Sequence, residues 1–288
     1  MIRKLASHYL SDKNKRTIKK YYRKLTKFFA HSMMSYDGEK LKAKLRKMGI
    51  GETDTLFVHA NFKQDSGCKG TPLDVVNALI ELVGLKGNLL MVSIPFRGTA
   101  YEYLKKQKPF RINKTMSMMG LITEMFRRKE GVRRSFHPTH PVLAYGKDSE
   151  WITSDHAMCV FPCGVGTPFD KFRQLNGKIL FYDVGFGAIT FFHYVEELIK
   201  DKLPFRVFHD ELFSVKAYDY YDNEHIIKTY AYDRRTVRNT KILEDEMYKR
   251  NMIKTGRIGN SKFILVNAED VVICQTTMVE EGNFPYDL

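Results

Sequence analysis

The apolar positions along the chain fall into two patterns. Residues 55–60, 88–95 and 178–184 are almost continuously apolar, as strands buried on both faces are. Between them the spacing becomes helical. It predicts helices over residues 39–48, ended by Gly49 and Gly51, and over 71–83, opened by Thr71-Pro72. Further helices are predicted over residues 115–129 and 190–200. Strands alternating with helices imply an α/β fold with a mostly parallel central sheet and helices on both faces. After Pro204 the pattern changes to short alternating segments at residues 213–218, 225–232 and 262–267. These predict antiparallel strands beside the first layer.

Ahead of this body, Ile18, Tyr21, Tyr22, Leu25, Phe28 and Phe29 recur at helical spacing, with Lys and Arg on the other face. The organisation expected is a basic amphipathic N-terminal extension over residues 1–35, then one domain over 36–288. That domain divides into an α/β core, about 36–203, and an antiparallel subdomain, about 204–288. The chain of 288 residues carries a net charge of +14. Residues 1–31 hold ten Lys or Arg and one acid, Asp12, so most of the excess belongs to one end. A nucleic-acid binder would spread it over a face of the fold. Two readings of the extension stay open: contact with an anionic membrane surface or acidic partner, and packing on the domain or on another subunit of a homo-oligomer. No apolar run approaches the ~20 residues of a membrane span, and the first residues lack the apolar core of a signal peptide. Cys68, Cys159, Cys163 and Cys274 form no disulfide framework. The expected compartment is the cytoplasm, with peripheral membrane contact as the alternative.

Candidate chemistry is concentrated between Arg134 and Glu197. Three histidine-bearing loops and a His-x-x-Glu fall there among turn formers. His156, Cys159 and Cys163 have a spacing to weigh for zinc, but no paired Cys-x-x-Cys accompanies them, so no metal is expected.

The order of pieces resembles the aminoglycoside 3-N-acetyltransferase family. The matching pieces are Arg134-Ser135-Phe136-His137-Pro138, Asp155-His156, Gly166-Thr167-Pro168, Gly185, and Thr190 through His193 to Glu196. Upstream, Asp54 to His59 looks like the family's first strand, and Thr115 to Gly120 like its Thr-x-x-Met-Gly segment. The resemblance implies an acetyl-CoA-dependent N-acetyltransferase acting on an amine. It places His156 as the general base, with Glu196 as its partner and His193 one turn away in the same cleft. Coenzyme A phosphates favour helix N-termini and basic side chains. The implied cofactor contacts are His59, Asn61, Lys63, Thr115, Ser117, Gly120, Arg134 and Ser135. The family has serines after its equivalent of His59, whereas this chain has Ala60, Asn61, Phe62 and Lys63.

The acceptor expected is a small molecule with an amine, an amino sugar. Residues 96–114 hold Arg97, Lys105, Lys106, Lys108, Arg111 and Lys114 against Glu102. A field of that sign repels a polycation. The expected acceptor is therefore a nucleotide-linked or polysaccharide amino sugar. The alternatives are an aminoglycoside, in antibiotic resistance, and a non-catalytic membrane- or partner-binding scaffold.

Overall fold

A computed structural model of the chain describes residues 34–287 apart from position 236, together with Asn14, Lys15, Thr17, Ile18 and Tyr21. The expected basic N-terminal helix lies almost wholly outside the described residues.

The first turn of the core is α1 (Gly38–Lys47), capped by the Asp37 carboxylate on the Lys40 amide. It leads to β1 (Thr55–Ala60), α2 (Pro72–Val83) and β2 (Asn88–Val92). Thr71 and Asp74 form a reciprocal capping box at the start of α2. Next come α3 (Ala100–Lys105), β3 (Phe110–Arg111), α4 (Leu121–Arg127), β4 (Arg133–Arg134), β5 (Val142–Gly146) and α5 (Ser149–Thr153). Then follow α6 (Pro168–Gln174), β6 (Lys178–Tyr182) and α7 (Phe192–Leu198). The expected helix over 115–129 begins only at Leu121. Thr115 and Ser117 spend their hydroxyls on the Arg111 and Met119 amides, and Gly120 has φ +106°. Such local bonds compete with helix.

The central sheet has the order β10-β11-β6-β1-β2-β5-β4, where β10 is Lys254–Ile258 and β11 is Ser261–Asn267. Its inner strands β6, β1 and β2 are parallel. Antiparallel hairpins complete both edges. Leu56 and Val58 face one core, with α1, α2 and α4, while Phe57, Ile179 and Phe181 face the other, with α6, α7 and α9 (Ala268–Glu280). This two-sided burial is why the strands read as unbroken apolar runs.

The segments after Pro204 divide in two. β7 (Phe208–Tyr218) and β8 (Glu224–Tyr232) pair antiparallel as expected and, with β3, form a second sheet. The segment expected at 262–267 does not stand beside the first layer. It is β11 (Ser261–Asn267), hydrogen-bonded to β6 and followed outward by β10 (Lys254–Ile258). Its apolar positions Phe263, Leu265 and Val266 find their partners in the central cores. β9 (Val237–Arg238) precedes α8 (Thr240–Lys249) and pairs with β12 (Tyr286–Asp287) near the C-terminus. Among the described residues no helix is long and apolar enough to cross a membrane.

Candidate active site

Ligand crevices in open α/β sheets form outside the carboxyl ends of parallel strands. Here those ends are Ala60, Val92 and Tyr182, and α7 starts soon after the last of them. His193 and Glu196 lie one turn apart on α7. His193 Nδ1 and Glu196 Oε2 are 2.9 Å apart. The carboxylate can only accept, so Nδ1 carries the proton and Nε2 keeps its lone pair. No hydrogen bond engages Nε2 among the described residues, and the ring is 22% exposed. Arg238 donates Nε–H to both Glu196 oxygens at 2.9 and 3.0 Å, and its Nη1 to the Asp233 carbonyl at 2.7 Å. Burial alone would raise the Glu196 carboxyl. His193 and Arg238 outweigh it and hold Glu196 below the ordinary glutamate value. Burial lowers His193 in spite of Glu196, so its imidazole is neutral at pH 7.

Two aromatic rings complete this cluster. Tyr232 stacks on His193 with centroids 4.2 Å apart, and His140 meets Tyr232 edge-on at 5.3 Å. Burial and the neighbouring imidazole of His193 push His140 well down.

His156 is placed differently. It is buried, with Nε2 on the Pro162 carbonyl at 2.9 Å and Nδ1 on Ser135 Oγ at 2.7 Å. The carbonyl requires Nε2–H, so Ser135 donates to Nδ1 while accepting the Val142 amide at 2.8 Å. Both ring nitrogens are thus used internally. Burial lowers its pKa to about 3. His137 stacks on it at 4.5 Å. The expected pairing of His156 with Glu196 is not formed, because Glu196 is consumed by His193 and Arg238. His156 ties the loop after Asp155 to β4 and β5.

The expected cofactor contacts also separate. Arg134 is buried, and its guanidinium serves the carbonyls of Ile112, Thr115 and Ser93. Ser135 is fully buried on His156. Both face inward instead of toward a phosphate. His59 is sandwiched between Phe57 and Phe181, its Nε2 buried without a partner, and burial lowers it to about 4. Ser117 is buried, donating its amide to Glu124 at 3.0 Å. Thr115 is half-buried, while Asn61, Lys63 and Gly120 are exposed. Lys63 lies 3.6 Å from Asp183, just past β6. The two share a cleft of about 740 Å³ with Lys44, Arg257, Lys262 and Gly185. Among the described residues no group of His, Cys, Asp and Glu could hold a metal ion.

A family model for aminoglycoside 3-N-acetyltransferase matches residues 57–280. The chain belongs to this family. It is an acyltransferase by that membership. Aminoglycoside N(3)-acetyltransferase III of Salmonella sp is 25% identical over 257 residues, 82% of this chain and 89% of the relative. Aminoglycoside N(3)-acetyltransferase IV of Salmonella sp is 26% identical over 247 residues, 83% and 86% of the two chains. Among solved structures, AAC-IIIb in binary complex with CoASH aligns with TM-score 0.75 and 21% identity, covering 86% of this chain and 98% of that one. AAC-VIa bound to sisomicin aligns with TM-score 0.72 and 23% identity, covering 86% and 99%. These structures share the fold.

In this member of the aminoglycoside 3-N-acetyltransferase family, sequence reasoning missed Arg238, Tyr232 and His140. Arg238 lies 42 residues from Glu196, on a two-residue strand with no motif around it. His140 stood in view within the His137-Pro138 turn. Tyr232 closes a strand whose alternation marked it only as core.

Proposed function

We propose that the chain is an acetyl-CoA-dependent N-acetyltransferase whose acceptor is an aminoglycoside. The family match and the named relatives support the substrate class. The observation that carries the mechanism is the His193–Glu196–Arg238 chain with its unengaged Nε2. An ammonium has no lone pair, so the amine must lose a proton before it attacks the thioester carbonyl. His193 Nε2 takes that proton, directly or through one water, and Glu196 stabilises the imidazolium that results. The C–S bond then breaks, and the coenzyme A thiolate leaves. Lys63, with Lys44, Arg257 and Lys262 around the same cleft, supplies cations for the coenzyme A phosphates.

The basic stretch that argued for an anionic acceptor carries less free charge than its composition implies. Arg111 and Lys114 pair with Asp222 at 3.0 and 3.2 Å, and Lys105 lies over the Tyr101 ring. The comparisons favour the aminoglycoside over a nucleotide-linked amino sugar. Thiol release from acetyl-CoA, with sisomicin and a nucleotide-linked amino sugar as rival acceptors, tests this. Turnover of sisomicin is expected. Turnover of the nucleotide sugar alone overturns the acceptor, and no thiol release with any amine overturns the activity.

A further inference from the structure

Asp183 stands where β6 opens into the crevice, and its backbone has φ +56°. That conformation is uncommon outside glycine, which would make the same turn without steric cost. The side chain held there is fully engaged. Its carboxylate is buried, with 1% of the side chain exposed. Oδ2 accepts the Ser261 hydroxyl at 2.7 Å, and Oδ1 accepts the Lys262 amide at 3.0 Å. Tyr36 and Ser261 oxygens lie 2.6 Å apart, as do those of Tyr36 and Tyr182. A carboxylate can only accept, so the protons run one way, from Tyr182 to Tyr36 to Ser261 to Asp183. This chain ties the carboxylate to β6, to β11 and to the segment ahead of α1. Lys63 approaches Oδ1 at 3.6 Å from the loop after β1, with 44% of its side chain exposed. Among the described residues Asp183 is the one acid lining the cleft that also holds Lys44, Lys63, Arg257 and Lys262.

We propose that Asp183 is a positioning residue for the cofactor: its anchored carboxylate holds the Lys63 ammonium at the crevice, ready for a phosphate of acetyl-CoA. This rests on the reading of the cleft as the site of the coenzyme A phosphates. A lysine on a loop has a flexible stem, and ordering it on a ligand opposes binding. Asp183 orders it beforehand. At 3.6 Å the two charges attract, yet the contact is longer than a direct hydrogen bond, so the ammonium keeps its donors for phosphate oxygens. The carboxylate does not turn the phosphate away. Its own charge is met by the Ser261 hydroxyl and the Lys262 amide, and four cations outnumber it in the cleft.

The test is a double-mutant cycle on acetyl-CoA affinity, read by calorimetry, over wild type, Asp183→Asn, Lys63→Met and the pair. Asparagine tolerates the left-handed backbone and keeps an oxygen for the Lys262 amide, but offers Lys63 no charge. Asp183→Asn should weaken acetyl-CoA by about threefold to tenfold, the worth of one side chain ordered in advance. In the Lys63→Met background the same change should weaken it no further. Asp183→Gly adopts the turn without steric cost and should weaken acetyl-CoA as asparagine does. In thiol release, KM for acetyl-CoA should rise by the same factor while kcat changes by about twofold or less. With S-acetylpantetheine, which lacks the nucleotide phosphates, kcat/KM should not distinguish Asp183→Asn from wild type. Additive losses in the cycle, unchanged or tighter acetyl-CoA binding in Asp183→Asn, or an equal loss with S-acetylpantetheine overturn the inference. Wild-type affinity in Lys63→Met overturns the reading of the cleft instead, so the two failures are distinguishable.

Discussion

His156 and His193 hold the two jobs a histidine can have, and only their hydrogen bonds tell them apart. His193 has one nitrogen on a carboxylate and the other free, whereas His156 has both committed to the protein. His193→Ala should lower turnover by about 10²–10⁴-fold, the usual worth of a general base. The pH profile carries a sign as well. His193 must be neutral to act and its pKa is depressed, so the acid limb should lie below pH 6.5. His156→Ala should instead destabilise by about 1–3 kcal/mol, because it leaves the Pro162 carbonyl buried without a partner. Calorimetry and thiol release on both variants check the assignment, and an inactive, fully stable His156→Ala would reverse it. The motif made both histidines visible in the sequence. Their roles were not visible, because they depend on Arg238, 42 residues beyond Glu196, and on which ring nitrogen each hydrogen bond engages.

At the scale of elements, the inner strands were legible because burial on both faces leaves little room for polar residues. The edge hairpin β10–β11 was not, since the pairing partner of β11 is decided by sheet topology and not by its own alternation. The turns show where backbone contact overrides pattern. Gly146 ends β5 with φ +124°, and a Cβ there would lie 2.1 Å from the Gly87 carbonyl oxygen. Gly146→Ala should cost about 3 kcal/mol or more, because that neighbour is backbone and cannot rotate away. Gly185 belongs to the motif that carries the family resemblance, yet it has φ −79° and nothing within 4 Å of a built Cβ. Gly185→Ala should change stability by about 0.5 kcal/mol or less. Urea titration of both checks the contrast. Equal losses would mean that Gly185 is held by the fold and not by the cleft it lines.

For the molecule as a whole, the buried histidines set the response to acid. His59 and His156 are held neutral by burial, with pKa values of about 4 and about 3, and His137 and His140 are pushed down in the same direction. A depressed histidine contributes stability that is present above its unfolded pKa of ~6.5 and is lost as pH falls below it. At pH 5 the unfolded chain binds these protons and the folded chain does not. The loss is about 2 kcal/mol each for His59 and His156, with His137 and His140 adding to it. Glu197, whose carboxyl burial raises to about 8, works the other way and returns about 2 kcal/mol over the same interval. Four histidines against one glutamate leave a net loss of several kcal/mol, out of a total stability of about 5–15 kcal/mol. The melting temperature should fall by on the order of 10 °C between pH 7 and pH 5. His156→Gln should flatten that fall, because glutamine offers the unfolded chain no proton to bind. A melting temperature that holds or rises toward pH 5 would mean that these rings are protonated in the folded state.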